Sequence, residues 1–326
     1  MELVDLDKQM SAFGNKIEHS VVFQRILGVI LFLLITAVWY TLTTIQSSKI
    51  YEYYYWGLFF IQYLITMTMK TQFCVFNIIL KYRFLALDTK LKEIIDSTRD
   101  VTGKQSKLIL VQSAEQPQMR LSSVADKIIT LSEFHSKLYN ISKRINLFYS
   151  IQILLITGKY FVEITATLYY NLQKFYKTDV QADDDWYAFS YFIWALMNCA
   201  DLFILVYTSD SMCSTANGCK MTLHKVNLNS KDMEMKKEVT AFSLQLLHND
   251  LVLTAAGFFN IDFTLIFNII GAVTTYLVIF VQFDINDPQK LSQDLNSTTA
   301  IAILLSEQFT EMASSAISVV NSSLID

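Results

Sequence analysis

Apolar residues in this chain come in long blocks separated by short polar ones, and block length sets the first expectation. Ile26 to Ser48 carries no charge over 23 residues, enough for a helix to cross a bilayer core. The second block, Tyr53 to Met69, opens with Tyr53, Tyr54, Tyr55 and Trp56, an aromatic cluster of the kind found at membrane–water interfaces. Past Lys70 the chain stays apolar to Leu80 and then gains Lys81, Arg83, Lys90 and Lys92. One helix is therefore expected to leave the membrane and continue into water. Arg99 to Asp126 holds Gly103 and Pro117 among polar residues and reads as a loop.

The third block, Ile145 to Gln173, is interrupted only by Lys159 and Glu163. Four apart, they share a helical face and are placed to pair. Upstream, Ile128, Leu131, Phe134 (or His135), Leu138 and Ile141 recur at helical spacing, which predicts a second long helix climbing into the membrane. Asp183, Asp184 and Asp185 break the pattern. Trp186 opens a fourth span that runs to Tyr207, with Cys219 as its outer limit. An amphipathic helix is expected around Val239 to Gly257, and Phe263 to Phe283 gives a fifth span of 21 residues without charge. The fold class is all-α: a polytopic membrane helix bundle with long helices extending into the cytoplasm.

Composition agrees with the pattern. Of 326 residues, 52% are hydrophobic and 17% charged, apolar for a soluble domain but too polar for membrane spans alone. Two prolines and eight glycines are too few for a turn-rich β fold. Basic residues set the orientation. Lys70, Lys81, Arg83, Lys90, Lys92, Arg99, Lys104, Lys107 and Arg120 lie between spans two and three. Lys220, Lys225, Lys231, Lys236 and Lys237 lie between spans four and five, against Lys49 alone between the first two and Lys290 alone in the tail. By the positive-inside rule the basic segments are cytoplasmic. Residues 1–25 are then a cytoplasmic N-terminus, 26–283 the transmembrane domain and 284–326 an extracellular tail. Sequons at Asn296 and Asn321 accord with that side. Ile301, Leu305, Phe309, Met312, Ala316 and Val319 (or Val320) predict an amphipathic helix over roughly 300–320 of the tail.

Candidate chemistry is sparse. The chain has no phosphate-binding glycine loop, nucleophile elbow or paired-histidine zinc motif, so neither catalytic residues, metal ligands nor a cofactor are expected. His19, His135, His224 and His248 are scattered and read as surface residues on the cytoplasmic side, and Cys74, Cys199, Cys213 and Cys219 as buried free thiols. Asp201, inside span four, is either a contact for a ligand or ion or a hydrogen-bonded residue at a kink or wet cavity. No basic stripe interleaved with aromatics points to nucleic acid, and no internal repeat points to a transporter.

The last span ends Thr275-Tyr276-Leu277-Val278-Ile279-Phe280-Val281-Gln282-Phe283: Thr-Tyr, five hydrophobic residues, Gln-Phe. It is preceded in order by Phe242-Ser243-Leu244-Gln245-Leu246 with His248, by Thr254-Ala255-Ala256-Gly257-Phe258-Phe259, by Asn260-Ile261-Asp262 and by Gly271-Ala272-Val273. This series resembles the insect gustatory receptor family, sharply over 238–283 and more loosely from about residue 20. The resemblance implies a seven-span chemosensory receptor working as a cation channel gated by a small-molecule tastant. It further implies a homo- or hetero-tetramer in the lipid of the plasma membrane. The alternative within the same family is a truncated, non-conducting or regulatory membrane protein. Aligning the long basic loop with the family's makes the first span here the family's third, so the first two family helices are missing. The chain also runs on past Gln-Phe, where family members usually stop.

On that resemblance residues 238–283 form the pore, with Gln282 and Phe283 as pore and gate. An uncharged amide can stand in for an ion's hydration water, and a ring can close a narrow point by dewetting. Thr275 and Tyr276 support the motif, their hydroxyls expected to bond a neighbouring helix. A ligand is expected in the outer half of the bundle, among Trp39, Tyr40, Tyr55, Trp56, Tyr160, Tyr169, Tyr170, Trp186 and Trp194. Of these, Tyr55, Trp56, Tyr160, Tyr169, Trp186 and Trp194 are the pocket candidates. Aromatic faces suit both sugars and alkaloids, and each ring has belt anchoring as its alternative.

Overall fold

The computed structural model describes residues 2–14, 19–47, 53–105, 116–176, 182–224 and 233–285. Its elements are α1 (Glu2–Ala12), α2 (His19–Ser47), α3 (Tyr53–Gln105), α4 (Gln116–Tyr176), α5 (Ala182–His224), α6 (Met233–His248), β1 (Thr254–Ala255), β2 (Phe259–Asn260) and α7 (Phe263–Ile285). Among the described residues five helices are long and apolar enough to cross a membrane. They are α2, α3, α4, α5 and α7, the five blocks of the sequence in order. The expected tail helix over 300–320 lies outside the described residues.

The middle helices exceed what a membrane needs. α3, α4 and α5 contain 53, 61 and 43 residues. At about 1.5 Å per residue even the shortest is about 65 Å long, about twice the hydrocarbon core of a bilayer. Each therefore continues well beyond it.

Three boundaries differ from the sequence reading. The segment read as a loop over Arg99–Asp126 is narrower: α3 runs through Gly103 to Gln105 and α4 begins at Gln116. Pro117 sits in the first turn of α4, where a missing N–H breaks no intrahelical bond. Asp183, Asp184 and Asp185 do not interrupt helix but fall in the first turn of α5. The amphipathic helix expected to reach Gly257 stops at His248. Beyond it Phe258 N–H donates to the carbonyl of Ala255 at 3.0 Å, across Ala256 (φ 51°) and Gly257 (φ 78°). Two successive left-handed residues make a tight turn that no helix tolerates.

The chain divides into two compact units. Unit 1 comprises Met1–Ile35, Met67–Ile151 and Thr208–Phe258, and unit 2 comprises Thr36–Thr66, Gln152–Tyr207 and Phe259–Asp326. In unit 1 the expected stripe of α4, Ile128, Leu131, Phe134, Leu138 and Ile141, is buried throughout. So are Phe73, Leu80 and Phe84 of α3, Met212 and Ala216 of α5, and Val239, Phe242 and Leu246 of α6. α1 belongs to this core through Leu6 and Met10, and Arg83 Nε donates to Asp7 Oδ1 at 2.7 Å. In unit 2 the buried set includes Ile153, Ile156, Tyr160 and Ile164 of α4 and Leu202, Leu205 and Val206 of α5.

His135 is not a surface histidine. It is buried in unit 1 between the rings of Phe84 and Phe242 at 5.4 and 6.1 Å, with Nε2 3.4 Å from the carbonyl oxygen of Ala216. The α4 stripe that turns Phe134 and Leu138 inward turns His135 inward with them. His248 is exposed, while the side chains of His19 and His224 lie outside the described residues. Cys74 and Cys219 are buried as expected, Cys213 is half-buried and Cys199 is exposed. On a span that faces lipid, an exposed thiol needs no partner.

Candidate functional site

The last span is built from its cap downward. Asp262 precedes α7, and its Oδ1 accepts the backbone N–H of Thr264 at 2.9 Å and also the Thr264 hydroxyl. That is an N-cap, satisfying donors at a helix start that have no intrahelical partner. α7 then divides into two faces. Leu265, Ile269, Val273, Leu277 and Val281, every fourth residue, are buried. Tyr276, Phe280 and Phe283 are exposed beside a second set, Thr264, Asn268, Gly271, Thr275, Ile279 and Gln282. At about 100° per residue these six fall within an arc of about 80°. Four of them carry a polar side chain; elsewhere on the helix only Thr274, Tyr276 and Asp284 do.

Gln282 is exposed at the end of this stripe, and Phe283, 74% exposed, stands next to it. Thr275 is on the stripe, but its hydroxyl donates to the carbonyl of Gly271 at 2.9 Å. Its partner is thus its own helix and not a neighbouring one. Tyr276 does meet a neighbour, through its ring. Phe161 of α4 lies edge-on to it at 5.6 Å, Phe280 follows at 6.3 Å, and Tyr169 of α4 meets Phe280 at 5.4 Å. A ladder of four rings therefore joins α4 to α7 within unit 2.

A second cluster of unit 2 lies among α3, α4 and α5. The rings of Tyr63 and Trp194 are 5.7 Å apart. The Lys159 ammonium lies 5.9 Å from the Tyr63 ring centroid and 5.6 Å from that of Tyr160, and 3.1 Å from Glu163 Oε1. The pair read from the sequence is thus formed. Tyr160 is fully buried. One turn on from Trp194, Asn198 is 1% exposed, and among the described residues its Nδ2 has no hydrogen-bond partner, nor have Thr157 Oγ1 and Glu163 Oε2. Asp201, also on α5, is buried.

Of the six pocket candidates, Tyr160 and Trp194 are brought together through Lys159 and Tyr63, while Tyr169 belongs to the ladder on α7. The side chains of Tyr55, Trp56 and Trp186 lie outside the described residues. Sequence reasoning missed Tyr63, Phe161 and Phe280. Asn198 also passed unnoticed, although its spacing from Trp194 and Asp201 repeats at four and three and could have marked one polar face. Among the described residues no group of three or more His, Cys, Asp or Glu is placed to hold a metal.

A family model of 7tm chemosensory receptors matches residues 1–287. The chain belongs to this family. Members are receptors, not enzymes. Among its relatives in Drosophila melanogaster, gustatory receptor 28b is 25% identical over 295 residues, covering 87% of this chain and 63% of its own length. The gustatory receptor for bitter taste 66a is 26% identical over 169 residues, covering 50% of this chain and 32% of its own. The chain spans less than two thirds of the length of the curated relatives it matches. Among solved structures it is similar to the insect olfactory receptor OR5 from Machilis hrabei, with a TM-score of 0.56 at 11% identity, over 86% of this chain and 74% of that one. The same receptor in complex with eugenol gives a TM-score of 0.56. At that identity the likeness establishes the fold: this chemosensory receptor is a multi-pass helical membrane protein.

Proposed function

We propose that this chain is a gustatory receptor-like subunit of a ligand-gated cation channel that senses small-molecule tastants at the plasma membrane. Asn268 and Gln282 carry the reading, on the exposed stripe of α7 they share with Thr264 and Thr275, whose hydroxyls are already bonded to Asp262 and Gly271. Polar side chains turned toward lipid tails lose water without compensation, and those lining a wet path do not. Copies of the chain arranged as a tetramer around an axis would bring the stripes, with Gln282 and Phe283 at their ends, to one aqueous pathway. Gln282 then offers an amide to a partly dehydrated ion, and Phe283 narrows the path. The Tyr63–Trp194–Tyr160 cluster, with Asn198 one turn on from Trp194 and Thr157 one turn before Tyr160, offers the aromatic rings and few polar groups that a small-ligand site uses. The distribution of basic residues supports an N-terminus in the cytoplasm and residue 284 onward outside.

Whole-cell recording tests the pore. Phe283→Ala should leak current without ligand, and Gln282→Glu should raise preference for divalent cations. Unchanged resting current and selectivity in both variants, with wild type conducting, refutes the pore assignment. A wild-type chain that reaches the surface and carries no current, alone or with a co-expressed relative, favours the non-conducting alternative. An epitope tag at residue 110 labelled on intact cells reverses the orientation.

A further inference from the structure

The ion pair of α4 stands at the middle of an apolar span, between Ile145 and Gln173, and it is not left bare. Lys159 and Glu163 side chains are 19% and 30% exposed, and the ammonium lies within 6 Å of two tyrosine ring centroids. Aromatic faces attract a cation, more strongly where water is scarce. Tyr63, Tyr160 and Glu163 are thus the parts of a receptor for an organic ammonium ion, and the ammonium that occupies it is the chain's own lysine. The pair neutralises itself. A charged ligand entering beside it would bring a charge without a counter-charge, which is costly in a low-dielectric setting. A neutral ligand brings no such cost. Groups without a partner among the described residues of the same two helices, α4 and α5, would suit it: Glu163 Oε2 accepts, Asn198 Nδ2 donates and the Thr157 hydroxyl does either.

We propose that Lys159 and Glu163 are the specificity-determining pair of this site, restricting it to uncharged ligands that carry both hydrogen-bond donors and acceptors, and that losing Lys159 converts it into an organic-ammonium site. This rests on the reading of the Tyr63–Trp194–Tyr160 cluster as the ligand site. It also explains why two charges persist in a membrane span where apolar residues would insert more easily: their role is exclusion as much as attraction.

Three probes of one shape separate the charges: 2-phenylethanol, the 2-phenylethylammonium ion and phenylacetate. Each is titrated against the full chain in lipid nanodiscs, with thermal stabilisation giving an apparent affinity. Wild type should prefer the alcohol. In Lys159→Met, the ratio of ammonium to alcohol affinity should rise by about ten-fold or more, the effect of a vacant, partly desolvated cage. In Glu163→Gln, phenylacetate should gain instead. The double variant Lys159→Met/Glu163→Leu is neutral again and should return to the alcohol, which also guards against loss of fold in a variant holding one unpaired charge. Trp194→Ala should weaken all three probes. If it does so while the ammonium ratio in Lys159→Met stays at the wild-type value, the pocket stands and the charge rule is wrong. If Trp194→Ala changes nothing, or if no probe stabilises wild type, the pocket reading fails and the charge rule with it.

Discussion

Both units of this receptor have ring contacts between helices, such as Phe73 with Tyr149 and Phe84 with His135 in unit 1, and unit 1 adds directional side-chain bonds. In unit 1, side chains bond from helix to helix. Asn77 Nδ2 donates to Ser209 Oγ at 3.1 Å, the Thr222 hydroxyl to Asp88 Oδ1 at 2.6 Å, and Tyr149 Oη to Gln72 Oε1 at 3.2 Å. The Ser132 hydroxyl meets Gln245 Oε1, and Lys220 pairs with Asp250. In unit 2, helices meet through rings: Tyr63 with Trp194, Phe161 with Tyr276, Tyr169 with Phe280, Tyr170 with Tyr191, Phe203 with Phe263. The hydrogen bonds of Thr165, Thr167 and Asn171 stay within α4. Hydrogen bonds fall off steeply with angle and distance, whereas ring contacts are kept over a range of offsets and tilts. The added directional bonds favour a unit 1 that stays, and ring contacts a unit 2 that can shift, as the proposed ligand cluster and pore helix would require.

The largest effect should come from breaking a directional contact in unit 1. Asn217 of α5 grips the buried Leu251 twice. Its Nδ2 donates to the Leu251 carbonyl at 3.0 Å and its Oδ1 accepts the Leu251 N–H at 2.9 Å. Asn217→Leu leaves both backbone groups unpaired away from water, at a cost of about 2–3 kcal/mol. We expect the unfolding midpoint of the detergent-solubilised chain to fall by about 5 °C or more. Agonist sensitivity of the folded fraction should hold. A loss of sensitivity with an unchanged midpoint would reverse the assignment of roles.

That clasp was hidden in the sequence, and the reason shows what patterning can and cannot reveal. Spans declare themselves because a bilayer demands a minimum run of apolar residues, so all five were legible from Ile26 onward. The α4 stripe was legible because burial repeats at the helical period. Asn217 belongs to neither class: its partner is backbone 34 residues away, set by how the segment after α6 is placed and invisible to periodicity. Pro117 and the three aspartates misled because residues that punctuate loops also start helices. Phe280 was obscured by its neighbours, since in an almost wholly apolar stretch only the fold distinguishes the ring that meets α4 from one that faces lipid.

A smaller and different effect is expected from the ring ladder. Phe161→Leu keeps an apolar side chain opposite Tyr276 but removes the edge-to-face contact, about 1 kcal/mol beyond burial. If the ladder links α4 to the pore helix, the half-maximal agonist concentration should shift about five-fold, the coupling such an energy provides. The midpoint should move much less than in Asn217→Leu. The combination Phe161→Leu/Tyr276→Leu should be clearly less than additive in gating, since the two residues share the interaction. Additive shifts would mean that each ring acts through some other neighbour.

The smallest effect tests the division within α7 itself. The Thr275 hydroxyl bonds the carbonyl of Gly271 one turn back, an acceptor within its own helix whose second lone pair the hydroxyl fills. Valine has nearly the same shape, so Thr275→Val loses one local bond and no packing. Substitutions of that kind change stability by about 0.5 kcal/mol or less. A merely structural threonine would thus leave no trace. The stripe reading requires one: a methyl would replace the hydroxyl on the exposed face between Gly271 and Gln282, where a passing ion's hydration shell would otherwise find a partner. Single-channel conductance should fall modestly in Thr275→Val and be retained in Thr275→Ser, with surface expression equal in all three. Equal conductance in valine and wild type would exclude Thr275 from the wetted face and confine the pathway to the end of the helix at Gln282 and Phe283.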